Sequence, residues 1–80
     1  MHNVRRQYMS YADDRMQEAF RMAHQARKSR SHDDARASWA VAALRFGDAG
    51  DRYYHNGDQL LASDCFELKM YCEKMVRRNE

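Results

Sequence analysis

No proline interrupts this 80-residue chain, and glycine occurs only three times. Proline and glycine are the residues that most strongly end helices, so a chain this poor in both is free to run as long ones. The apolar spacing agrees. Tyr8, Ala12, Met16, Ala19, Ala23 and Ala26 follow steps of three and four, which sets them on one helical face. Four of the six are alanine, so a neighbouring helix can approach closely. Tyr11, Phe20 and Met22 widen the stripe on both sides. The pattern predicts a first helix over about 3–28.

The stretch "SRSHDDAR" breaks this pattern. Ser31 with Asp34 three residues on fits a capping box, with Asp in place of Glu. Asp33 and Asp34 fall in the first turn, where the helix dipole favours negative charge. A second helix is expected from about Asp33. Ala35, Trp39, Ala42, Phe46, Ala49 and Tyr53 then repeat at helical spacing, and the phase carries through Gly47 and Gly50. One continuous helix to about His55 follows. Each interior glycine costs up to about 1 kcal/mol relative to alanine. Ala43, Gly47, Gly50 and Tyr54 make a flank of mostly small residues where a closely packed helix offsets that cost.

"HNGD" ends the second helix. Asn56-Gly57 tolerates the left-handed conformation of a helix C-cap, and Asp58 suits the N-cap of the next helix. Neither flank alternates with period two, so this Asn-Gly reads as a helix–helix turn and not as a β-hairpin. A third helix over about 58–78 carries Leu61, Cys65, Leu68, Cys72 and Met75 or Val76 on one face, and Ala62, Phe66 and Met70 on another. The expected fold is all-α, a single domain over 1–80 built as a small three-helix up-down-up bundle. A third helix apolar on two faces, in so small a bundle, predicts a second contact.

The run "AGDRYYHNGDQLLASDCFE" resembles the helix–turn–helix unit of the tetratricopeptide repeat. Phe46, Gly50, Tyr53 and Gly57 carry the pattern in the first helix and turn, and Ala62 and Phe66 carry it in the second. The resemblance is best over 46–71. It implies a TPR-like hairpin in the C-terminal half, and a protein-binding scaffold without catalysis.

Charge separates two classes of partner. Residues 1–30 carry seven Lys/Arg and three Asp/Glu, whereas the whole chain has a net charge of only +2. Arg5, Arg6, Arg21, Arg27, Lys28 and Arg30, with Tyr8 and Tyr11 near, form a strip suited to phosphate contacts. Asp13, Asp14 and Glu18 interrupt it, so a nucleic-acid-associated regulator is the alternative reading and not the first.

Signals for catalysis are lacking. There is no Gly-rich phosphate loop, no dinucleotide fingerprint and no Cys-x-x-Cys. His2, His24, His32 and His55 are scattered, without a pair on one helical face. Asp13-Asp14 and Asp33-Asp34 point about 100° apart on a helix, so neither pair converges as an acid–base dyad. Cys65 and Cys72 lie about 10 Å apart along one helix, beyond disulfide reach, and read as core thiols of a reducing compartment. Neither enzyme activity, cofactor nor metal is expected.

No apolar run approaches the roughly 20 residues a membrane span needs, and "MHNVRRQYMSYADD" lacks a signal peptide's apolar core. A cytosolic location is expected. The residues most suited to hold another protein are Tyr54, Phe66 and Met70, which lie off the main stripes and are of types enriched where proteins bind. The expected function is that of an adaptor or an inhibitor that occludes a surface of a larger protein. The Phe66/Met70 face also predicts a homodimer, with Tyr54 at its edge. Compactness without catalytic signals suits a phage- or plasmid-borne regulator of host machinery.

Overall fold

The computed structural model describes residues 3–80, with side chains from Tyr11 onward. The chain is an all-α up-down-up bundle of three helices, α1 (Asn3–Lys28), α2 (His32–His55) and α3 (Gln59–Arg78). The side chains of Arg5, Arg6 and Tyr8 lie outside the described residues.

Helix α2 begins one residue earlier than its sequence suggests. Ser31 is its N-cap, with extended backbone, and the Ser31 hydroxyl accepts from the Asp34 N–H at 3.2 Å. This covers one of the four donors that a helix start leaves without partners. Helix α3 begins at Gln59, with Asp58 as the N-cap expected from the sequence, accepting from the Leu61 N–H at 3.3 Å.

The turn between α2 and α3 closes as a Schellman motif. The Asp58 N–H donates to the Tyr53 carbonyl at 2.9 Å and the Gly57 N–H to the Tyr54 carbonyl at 3.1 Å. Gly57 supplies the left-handed residue, with φ +86°. A Cβ there would meet nothing within 4 Å, so the requirement for glycine is purely conformational. Gly57→Val is therefore expected to lower unfolding stability by about 1–2 kcal/mol, the cost of left-handed backbone for an L-residue. Urea denaturation reads this directly. An unchanged midpoint would contradict the cap.

Helix α2 is the middle of the molecule. It packs against both α1 and α3, while α1 and α3 hardly meet. The Cα envelope is accordingly long and thin, 48 × 17 × 12 Å. The α2 stripe Ala35, Trp39, Ala42, Phe46, Ala49 and Tyr53 is buried throughout, and its flank adds Ala43 and Gly50. Helix α1 contributes Ala12, Ala19, Ala23 and Ala26, whose small side chains let it lie close to α2. Helix α3 contributes Ala62, Cys65 and Cys72. The bulk of the core comes from Trp39, Tyr53 and Phe46 of α2. Edge-to-face rings tie this core outward, with Phe20 of α1 on Phe46 at 5.0 Å and Tyr71 of α3 on Trp39 at 5.7 Å.

Polar contacts fix the register of α1 on α2. The buried Tyr53 hydroxyl donates to Asp13, which places that carboxylate in a structural role that surface charge alone did not suggest. The Tyr11 hydroxyl donates to Asp48 at 2.9 Å, and Arg52 lies over the Tyr11 ring at 4.5 Å. Glu18 bridges Arg15 and Arg45 at 2.9 and 3.0 Å.

Candidate functional site

Leu44, Tyr54 and Met70, three of the exposed apolar residues of α2 and α3, line two depressions along a seam between these helices that α1 does not join. Gly47 and Gly50 form its floor. A Cβ at Gly50 would stand 2.6 Å from the Phe66 ring, and one at Gly47 would stand 3.3 Å from the Lys69 stem. The glycines thus let α3 lie close on α2, in keeping with the flank of small residues legible in the sequence.

Tyr54, Phe66 and Met70 are brought together. They line one shallow depression with Gln59, Ala62, Ser63 and Glu67. Their exposures differ. Tyr54 is 59% exposed and Met70 is 66% exposed, so both stand out on the surface. Phe66 is half-buried against the core, its ring laid over Gly50. Its ring is chiefly an α2–α3 packing element, and only its rim joins the depression.

A second depression lies further along the same seam, lined by Ala40, Ala43, Leu44, Lys69, Glu73, Val76 and Arg77. Leu44 is 66% exposed at its edge. Sequence reasoning passed over Leu44. The available signal was the spacing of Ala40, Leu44 and Gly47, which continues the small-residue flank beside the main α2 stripe.

The basic residues of the alternative reading divide. Arg21, Arg27, Lys28 and Arg30 are exposed. Arg27 rests its guanidinium over the Trp39 ring at 5.9 Å, so part of its role is packing. None of these four forms an ion pair among the described residues, whereas Arg15, Arg36 and Arg45 do.

Neither thiol is poised for chemistry. Cys65 and Cys72 are free and fully buried. Burial pushes the Cys65 thiol up to about 11, with Asp64 adding to the effect. Burial also raises Cys72 to about 11, with Arg27 opposing and Glu73 reinforcing. The Tyr53 phenol is raised as well, first by burial and then by its bond to Asp13. Thiolate is the reactive form, so both cysteines are held inert in the native protein. His55 is exposed and engages the Asp51 carbonyl at 2.8 Å, turned to its own helix and not to the cysteines. Among the described residues no group of three His, Cys, Asp or Glu is placed to hold a metal ion, and no helix is long and apolar enough to cross a membrane.

These raised values have a consequence for pH dependence. A group whose native pKa lies above its unfolded value stabilises the fold fully below the unfolded value and loses that contribution as pH rises towards the native one. The ordinary thiol value is 9.0, so native stability is expected to fall between about pH 9 and 11. The slope approaches about 1.4 kcal/mol per pH unit for each thiol. Urea titrations across that range test this, with Cys65→Ala and Cys72→Ala as comparisons that flatten the decline.

Comparison with models of protein families, with curated proteins and with solved structures finds no match to this chain.

Proposed function

We propose that the chain is a small non-catalytic protein-binding module, an adaptor or an inhibitor that covers a surface of a larger protein. The observation that carries this reading is the Tyr54–Phe66–Met70 depression. It presents one aromatic and one thioether side chain, exposed, from two helices that are locked together by the Gly50–Phe66 contact. Rigid, preorganised apolar anchors of this kind lose little conformational entropy on binding. The TPR-like arrangement of Gly50, Tyr53, Gly57, Ala62 and Phe66 supports the same reading.

The alternative, a nucleic-acid-associated regulator, is favoured by the basic residues Arg21, Lys28 and Arg30, which form no ion pair among the described residues. Salt separates the two. Phosphate binding falls steeply as salt rises, whereas an apolar contact persists. Affinity capture from the native host is expected to retain a protein partner at raised salt, and to lose it with Tyr54→Ala plus Met70→Asp. Both side chains are largely exposed, so the double variant keeps its helicity. Capture of nucleic acid that Arg21→Glu plus Lys28→Glu abolishes, with no protein lost in the seam variant, would favour the alternative.

A further inference from the structure

A cavity of about 330 Å³ opens at the end of the bundle where the α1–α2 loop faces the end of α3. It lies at the opposite end of α2 from Tyr54, about 30 Å away at 1.5 Å per residue, and is therefore separate from the Tyr54 depression. Its floor is apolar. Ala26 of α1 and Ala35 and Trp39 of α2 are buried there, and Met75 of α3 is half-buried beside them. Its rim is basic, with Arg27, Arg30 and His32, all exposed. Among the described residues no acidic side chain lines it. Asn79 closes the α3 side. Its Nδ2 donates to the Met75 carbonyl at 2.8 Å, so its Oδ1 is the atom that accepts from the His32 Nδ1–H, at 2.9 Å. This bond ties the start of α2 to the cap of α3 and holds the imidazole at the mouth.

Two permanently charged guanidiniums thus line one cavity with no anion of the protein's own to offset them. Arg27 and Arg30 form no ion pair among the described residues, and Asp33, beside His32 in sequence, is held by Arg36 at 3.0 Å. Like charges brought together raise the energy, and an anion that joins them lowers it. Arg27 is already positioned for such a role, because the Trp39 ring holds its guanidinium at 5.9 Å without a carboxylate. An apolar floor with a few polar groups at its edge, at this volume, is the ordinary build of a small-molecule site. A bare inorganic anion would leave the floor unused, and a neutral apolar molecule would leave the arginines unused. We infer that this cavity binds a small organic anion with a flat apolar body, of the size of an arylalkanoic acid. The body rests on Met75 and the two alanines, and the acid group accepts from Arg27 and Arg30.

Trp39 is the only tryptophan of the chain, so its emission reports directly on the cavity floor. Titration of the whole chain with 3-phenylpropionate, at constant ionic strength, is expected to shift that emission saturably, with a Kd of about 1 mM or tighter for so small a ligand. Acetate and inorganic phosphate, which lack the apolar body, are expected to bind about tenfold more weakly or less. The amine 3-phenylpropylamine, with the same body and the opposite charge, is expected to leave the emission unchanged. Arg30→Glu is expected to raise the Kd for phenylpropionate about fivefold or more, since it replaces a donor with a like charge. Lys28→Glu makes the same change of charge at an exposed neighbour that does not line the cavity, and is expected to alter the Kd less than about twofold. Both positions are exposed, so far-UV helicity stays that of wild type. A wild type without a saturable response up to about 10 mM phenylpropionate overturns the inference. So does phosphate or the amine binding as tightly as phenylpropionate, or equal weakening by the two charge reversals. None of these readings involves Tyr54 or Met70, so the site stands or falls apart from the proposed protein partner.

Discussion

Trp39→Ala is expected to leave the chain largely unfolded at 25 °C. Trp39 is 2% exposed and is the largest fully packed side chain in the core. Its ring is held from both sides, by Arg27 of α1 at 5.9 Å and by Tyr71 of α3 at 5.7 Å. Truncating a buried tryptophan costs about 3–5 kcal/mol, from lost transfer energy and the cavity left behind. A single hydrophobic core in a domain of about this length rarely supplies more than about 3–5 kcal/mol in total. The deletion also removes a side chain that touches both outer helices, so the cavity cannot close by a small shift of one neighbour. Chemical denaturation should show a midpoint near zero denaturant or no cooperative transition, with Trp39→Phe intermediate. A cooperative transition within about 1 kcal/mol of wild type would place the main core elsewhere.

Gly50 and Gly47 are expected to respond to alanine with opposite signs, although they lie one helical turn apart. Either substitution relieves the intrinsic cost of glycine in a helix, up to about 1 kcal/mol. At Gly47 the new Cβ meets only the Lys69 stem at 3.3 Å, and that stem is free to move. Gly47→Ala should therefore stabilise. At Gly50 the Cβ would stand 2.6, 2.9 and 3.0 Å from three atoms of the Phe66 ring. The ring is held by the core behind it, so α3 must shift, and overpacking of this kind costs about 1–3 kcal/mol. Gly50→Ala should thus destabilise on balance. Adding Phe66→Leu to Gly50→Ala should recover part of the loss, and the non-additivity of that cycle measures the contact. Equal stabilisation at both glycines would mean that Phe66 does not rest on Gly50.

Much of this fold was legible in the sequence because one helix governs it. The six-residue stripe from Ala35 to Tyr53 kept its phase through both glycines, and all six are buried. The turns were legible for local reasons, since a Ser31 cap and an Asn56-Gly57 stop act through bonds to neighbours a few residues away. What escaped depends on which helix lies beside which. Asp13 read only as a break in the basic strip, and the packing of α1 on α2 brings it to Tyr53, 40 residues distant. Arg27 read as part of a basic strip, and the same packing lays it on Trp39. The seating of the Phe66 ring over Gly50 depends on how closely α3 approaches, which periodicity does not give. Leu44 drew no notice, since one leucine on an alanine-rich flank becomes a projection only when the helix opposite leaves a trough beside it.

The central place of α2 also bears on how the chain reaches its native state. Nearly every tertiary contact joins helices that are consecutive in sequence, because α1 and α3 hardly touch. Contacts between sequence neighbours close short loops at small entropic cost, and such topologies fold in microseconds to milliseconds. Neither outer helix needs the other before it docks. The two hairpins are then alternative first steps that share α2 as their template, and a change confined to α1 should leave the rate of α2–α3 pairing little altered. Temperature-jump relaxation of a core alanine variant in α1, such as Ala19→Gly, beside one in α3, such as Ala62→Gly, would show which hairpin forms first.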